Sequence, residues 1–345
     1  MRMSQNLRSQ QGHCGLYTLE ETAEMIRAGC LLIVAADGDV LTSLPVGTWL
    51  GGVCTRFQVG NGCVRSEEKA YVIDLTDVVQ SHRLGLYPDF AMESVYEDMP
   101  SNGFSFLLIP GFSEVHRYFG AQFAIRRKPT SSPLTGFVAG ADLGEAYMQD
   151  PFVVDGIHGV VYRDSGVALH CRLGKSQRAR IEVINPFSEG AAGDVITFES
   201  SALVLRECKV NGETRNFADY VREHAIPEGL PLVGRVRGMT LNVTLLFPLG
   251  RRSVTALSPV LPSVEYRFAR RDEMGCQRYV DVARRATRRV VASMHGYGNY
   301  PMMAKERNKE RPFPGPFALG EIAMLLMNQT TVNLIVEEVD DDEVQ

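Results

Sequence analysis

Apolar positions along this chain fall into short runs broken by Gly, Pro and Asp. Leu31 to Ala36, Thr48 to Phe57, Ala70 to Leu75 and Phe104 to Ile109 are each bounded by turn residues, the pattern of buried strands. Leu134 to Ala141, Arg180 to Asn185, Val195 to Glu199, Leu230 to Phe247 and Ser253 to Phe268 extend the series. The last run, Thr330 to Val339, alternates and sets Val332, Leu334 and Val336 on one face. Gly159 to Leu173 reads as a hairpin turning at Arg163-Asp164-Ser165-Gly166. A second hairpin centres on Asn211-Gly212, because a type I′ turn needs positive φ at both central positions.

Helices are few. Thr18-Leu19-Glu20-Glu21 is a capping box, and Gly29 supplies a left-handed stop, so a helix is expected over Leu19 to Ala28. Met92 to Asp98 suggests a short helix between strands, and Asn216 caps another through Phe217, Tyr220 and Val221 that ends before Pro227. The longest predicted helix runs from about Arg278 to Met294, with Val280, Ala283, Thr287, Val290, Val291 and Met294 on one face. Tyr297 to Pro316 reads as a mobile loop, and Asp340-Asp341-Asp342-Glu343 as a solvated tail. The fold class is therefore α+β, with mixed and antiparallel sheets and a few covering helices.

Composition narrows the function classes. The 345 residues make one large domain or two ordinary ones, and a net charge of −5 asks for neither nucleic acid nor an anionic membrane. Arg284, Arg285, Arg288 and Arg289 share a helix face, which reads as solvated because no aromatic stacking platform accompanies it. Apolar runs fall far short of the roughly 20 residues that cross a bilayer, and Met1 to Gln11 lacks an apolar signal core. A cytoplasmic protein is the expectation. Seven scattered cysteines without a Cys-x-x-Cys pair read as reduced thiols.

Candidate chemistry concentrates near the C-terminus, where Glu321, Asn328 and Thr330 interrupt apolar sequence between Gly315 and Glu337. Buried without hydrogen bonds each would cost a few kcal/mol, so backbone, water or ligand must satisfy them. No triad, Walker loop, dinucleotide fingerprint or metal spacing is present. Gly51-Gly52 behind Trp49 marks a close approach, of a neighbouring strand or of a ligand. Ser113 and His116 follow a strand and serve either a pocket or, for Ser113, a helix N-cap. Cys54 is a nucleophile if Arg56 lowers its pKa, and otherwise a small core hydrophobe. His295 precedes an aromatic, glycine-rich turn containing Tyr297; it caps a helix, acts as a base, or ligates a metal such as haem iron. His158 and His170 have no ligand partner at a useful spacing.

The Gly320-Glu321-Ile322 to Asn328-Gln329-Thr330 end resembles the C-terminal end of FIST domains, sensory modules of bacterial signalling proteins. Trp49-Leu50-Gly51-Gly52 resembles the glycine pair of their N-terminal half. The chain also looks like stand-alone bacterial proteins of unassigned function, through Leu16-Tyr17-Thr18, Gly47 to Gly52, Asn102 to Phe106, Val210-Asn211-Gly212, Asn216-Phe217-Ala218 and Leu230 to Val233. The resemblance implies two β-rich halves of FIST type, 16–200 and 201–339, between an extended N-terminus 1–15 and an acidic tail 340–345. It implies a small-molecule-binding protein, amino-acid-like or haem-binding, with Gly320, Glu321, Asn328, Thr330, Gly51 and Gly52 as family positions. Trp49, Arg56, Ser113 and Tyr297 join them as candidates around the ligand, and a sensor without a kinase, cyclase or output motif is expected to signal to a protein partner in trans. Ser293-Met294-His295-Gly296 and Val53-Cys54-Thr55-Arg56 depart from the family pattern, which points to a different ligand or a chemistry of this chain's own. The alternative is an enzyme of a small-molecule pathway, with His295 or His116 as base or haem ligand and Cys54 as nucleophile.

Overall fold

Strand Leu32–Ala36 shows how the chain is layered: Leu32, Val34 and Ala36 enter one apolar cluster, Ile33 and Ala35 another. A strand buried on both faces needs apolar residues at every position, which is why this run is continuous. The computed structural model describes residues 14–60, 62–122, 132–140, 151–187, 193–236, 238–246, 252–262, 264–270, 290–297 and 313–339.

The first sheet has the order Cys14–Thr18, Lys69–Asp74, Leu32–Ala36, Trp49–Val53, Val153–Asp155, Val160–Tyr162, with one parallel contact between Leu32–Ala36 and Trp49–Val53. Helices Leu19–Arg27 and Gly38–Ser43 cover its outer face through Ala23, Ile26, Val40 and Leu41. Its inner face meets a second sheet, ordered Leu326–Met327, Gly320–Ala323, Leu134–Ala139, Gly103–Pro110, Ser165–Arg172, Ser81–Pro88. Helices Ser94–Glu97 and Glu114–Gln122 lie on the far side of that sheet, where Val95, Val115 and Phe119 pack with Leu107 and Ile109.

A third sheet joins Gln177–Ile184, Thr331–Glu338, Val290–Gly296, Gly315–Ala318, Arg56–Val59 and Gly62–Arg65. The C-terminal strands thus return to pair with earlier ones, Thr331–Glu338 with Gln177–Ile184 and Gly320–Ala323 with Leu134–Ala139. A fourth, antiparallel sheet orders Glu213–Asn216, Glu207–Val210, Ile196–Thr197, Tyr266–Phe268, Leu232–Val236, Met239–Val243. Ala202–Leu205, Val254–Val260 and Leu245–Leu246 make a small fifth. One apolar cluster runs through all five sheets, and the chain is α+β with mixed and antiparallel sheets and few helices. No helix among the described residues is long and apolar enough to cross a membrane.

Local signals acted as their chemistry requires. Thr18 Oγ1 accepts from Glu21 N at 3.3 Å, the Glu21 carboxylate accepts from Thr18 N at 2.8 Å, and Gly29 takes φ 80°. Asn211 and Gly212 both have positive φ, and Asn216 caps helix Phe217–Glu223 through a 3.0 Å bond from Asp219 N.

Three expectations are corrected. Val290–Gly296 is a strand, so His295 does not end a helix; Ala292 and Met294 alternate into the core, and pairing with Thr331–Glu338 overrides helical periodicity. The four arginines of the expected cationic face lie outside the described residues, as do 298–312 of the expected loop, whose last residues, Gly315 and Pro316, begin strand Gly315–Ala318. The hairpin over Gly159 to Leu173 does not form. Val153–Asp155 pairs with Val160–Tyr162 instead, because Asp155 Oδ1 accepts from Ile157 N at 2.9 Å and Gly159 supplies φ 67°. Ser165–Arg172, buried at every position but Arg172, pairs between two strands of the second sheet.

Candidate functional site

Glu321 sits in strand Gly320–Ala323, opposite Phe137, and is fully buried. Its Oε1 accepts from Thr330 N at 2.6 Å and from Thr330 Oγ1 at 2.8 Å, while Oε2 has no hydrogen-bond partner. Burial pushes the carboxyl up to about 8 from an ordinary 4.5, against the Thr330 bonds and the nearby backbone N–H groups of Glu321 and Gly296. Gly296 must be glycine for this approach: a Cβ there would lie 2.3 Å from Gln329 N and 2.8 Å from Glu321 Oε1.

Asn328, two residues before, closes the turn. Its Oδ1 accepts from Ser258 Oγ at 2.7 Å and Thr244 N at 3.2 Å. Its Nδ2 donates to Met327 O at 2.9 Å and Leu319 O at 3.2 Å. The amide offers two donors and two acceptor sites, and all four are used inside the protein. Asn328 therefore ties strands Gly320–Ala323 and Val254–Val260 together and leaves no capacity for a ligand.

Beyond the turn, strands Val290–Gly296 and Thr331–Glu338 present a polar lattice on the face opposite the core. His295 pairs with Thr331 and Ser293 with Asn333, all four at most 2% exposed. Ser293 Oγ bonds Asn333 Oδ1 at 2.6 Å, His295 Nδ1 contacts Thr331 Oγ1 at 2.8 Å, and His295 Nε2 lies 3.0 Å from Phe313 O. A carbonyl only accepts, so Nε2 carries a proton. A metal needs an unprotonated ring nitrogen, and both nitrogens are engaged; the residues do not fit haem ligation by His295. Among the described residues no group of three or more His, Cys, Asp or Glu side chains could hold a metal ion.

The remaining candidates are positioned by packing. Cys54 Sγ contacts Phe317 O at 3.2 Å and Arg56 O at 3.4 Å, and burial pushes the thiol up to about 12 despite the Arg56 charge. His116 is buried and held down at about 4 by desolvation, with Phe112 N donating to its Nδ1 at 3.0 Å. Ser113 Oγ accepts from His116 N at 3.2 Å, the N-cap geometry of helix Glu114–Gln122. Trp49 donates from Nε1 to Pro45 O at 2.8 Å beneath Gly156. Gly51 and Gly52 make room for Leu41 and Phe137, whose atoms a Cβ would meet at 2.8 Å in each case. The Arg56 guanidinium lies 5.8 Å from the Tyr297 ring centroid, a cation–aromatic contact.

Sequence reading missed a chain of four polar groups that runs from buried Ser105 in the second sheet to the partly exposed Asp98 at the end of helix Ser94–Glu97. Ser105 Oγ contacts His170 Nδ1 at 2.7 Å, His170 Nε2 contacts Tyr87 Oη at 2.6 Å, and Tyr87 donates to Asp98 Oδ2 at 2.6 Å. Burial lowers His170 to about 4. Ser105 is one polar position in an apolar run, and only the register Ser105↔His170 brings the two strands' groups together. Gly85 lets the Tyr87 ring lie back along its own strand, since a Cβ there would meet Tyr87 Oη at 2.4 Å. Ser105 is fully buried, so the array fastens strands and presents no nucleophile.

Sequence reading also passed over a cleft of about 980 Å³ between the fourth and fifth sheets. The cross-strand pairs Glu207↔Asn216 and Lys209↔Thr214 share one sheet face along it. Strand Ala202–Leu205, at the edge of the small sheet, forms a wall with Val204 half exposed. None of the residues expected around a ligand lines it. With the geometry in place, the comparisons add one positive result: the chain belongs to a family of unknown function (DUF6976), whose model matches residues 17–337. No curated protein matches it.

Proposed function

We propose that this member of the family binds a small polar molecule in the cleft between the fourth and fifth sheets and acts as a sensor on a protein partner rather than as an enzyme. The observation that carries the reading is the cleft: its volume suits a metabolite-sized ligand, and charged side chains of both signs line it over Phe198 and Leu205. The groups that catalysis would use are not poised for it. Cys54 is a thiol near pH 7, His116 is buried and uncharged, and His295 has both nitrogens engaged. The sequence resemblance to FIST sensory modules gives the sensory role; Glu321, Asn328 and Thr330 then serve as the structural end of the last sheet.

A thermal-shift panel of amino acids, small organic acids, phosphates and sugars tests this, because selective binding to the folded state raises its midpoint by mass action. At least one compound should stabilise the wild type and fail to stabilise Ala202→Trp, which fills the cleft. A response fully retained in Ala202→Trp would place the ligand elsewhere, and a haem-dependent Soret band lost in His295→Ala would restore the enzymatic alternative.

A further inference from the structure

Two arginines are brought to one end of this cleft by the fold. Strand Ala202–Leu205 pairs with Val254–Val260, and the pair Leu205↔Val254 ends that ladder, so Arg206 and Arg252-Ser253 emerge at the same end. The consecutive residues Asn216, at the end of strand Glu213–Asn216, and Phe217, at the start of the following helix, pin both backbones: Phe217 N donates to Arg206 O at 2.8 Å, and Asn216 Nδ2 donates to Arg252 O at 3.2 Å. Arg206 and Arg252 are exposed and line the cleft. The third cation there, Lys209, is paired with Glu199 at 2.9 Å. Neither arginine has a carboxylate partner among the described residues, Glu207 beside them included.

Like charges held at one place repel unless an anion lies between them, and planar guanidinium forks match the two oxygens of a carboxylate or phosphate. The floor and wall beyond them carry Phe198, Leu205 and Val204, surface for the carbon body of the same molecule.

We infer that the cleft takes a small anion whose carboxylate or phosphate group is clamped by Arg206 and Arg252; this rests on the cleft being the ligand site. Isothermal titration of the full chain tests it, with inorganic phosphate, citrate and L-glutamate as probes and spermidine and glucose as cationic and neutral controls. At least one anion should bind, with phosphate against citrate separating the two oxyanion chemistries. Arg206→Ala and Arg252→Ala should each weaken that binding about tenfold or more, since both remove charge-assisted hydrogen bonds. Arg178→Ala, an exposed charge on strand Gln177–Ile184, should leave it unchanged. Binding of none of the anions, or full affinity in the double variant, overturns the assignment. Should only spermidine or glucose bind and Ala202→Trp abolish it, the cleft stands and the anion falls; an anion response that Ala202→Trp leaves intact sinks both.

Discussion

Glu321→Gln should remove a slope from the pH dependence of stability. The carboxyl is held at about 8 in the folded protein against 4.5 in its ordinary state, because it is fully buried. Between those values the folded state keeps a proton that the unfolded state has released. The contribution is therefore complete below 4.5 and is lost as pH rises through about 8. The buried imidazoles of His116 and His170, lowered to about 4 from 6.5, act in the opposite sense, fading as pH rises past 6.5. They act alike in wild type and variant, so the difference between the two curves from 6.5 to 8 reports Glu321. At ~1.4 kcal/mol per pH unit, levelling as the carboxyl begins to ionise, the wild type should lose ~1.5 kcal/mol more than the variant across that window. The amide of the variant still accepts from Thr330 and does not titrate. Urea unfolding at several pH values in this window, by circular dichroism, gives both curves; parallel curves for wild type and variant would refute the reasoning.

Three further outcomes follow from the packing. Asn328→Ala strands two donors and two carbonyls in the interior and should cost roughly 3–5 kcal/mol; a urea midpoint close to that of the wild type would contradict the turn's role. Gly156→Ala places a Cβ 2.2 Å from the Trp49 ring and should cost about 1–3 kcal/mol. Trp49 is the only tryptophan, so its fluorescence maximum should move as well. Cys54 should resist iodoacetamide at pH 8 in the folded protein and react in urea, because its thiol is buried and pushed up to about 12; rapid native labelling found by mass spectrometry would show it to be accessible.

Much of the fold was legible because its cues are local. The Thr18 box, the Asn211-Gly212 turn and the Asn216 cap each fix a few residues through bonds to near neighbours, so neighbouring sequence suffices to read them. The errors arose where two periods compete. Val290 to Met294 suits a helix face or a two-sided strand, and its pairing with Thr331–Glu338, some forty residues on, decides for the strand. The candidate site was less legible still. Trp49, Gly51, Gly52 and Ser113 stand out in sequence, yet they are packing and capping residues, whereas Arg206, Arg252 and Ala202 look ordinary until two sheets set them around a cleft.

The sequence by itself determined the strand-rich α+β class, most strand positions, three helix starts and the fact that Glu321, Asn328 and Thr330 must find partners. Those follow from burial and backbone hydrogen bonding, which act over a few residues. Only the tertiary structure decided what the partners are: Thr330 for Glu321, Ser258 and Thr244 for Asn328, His170 for Ser105. It also decided that the charged cleft lies away from all of them. A side chain's hydrogen-bond needs are written in its chemistry, but which distant group meets them depends on strand order and register, and these are set by the core as a whole.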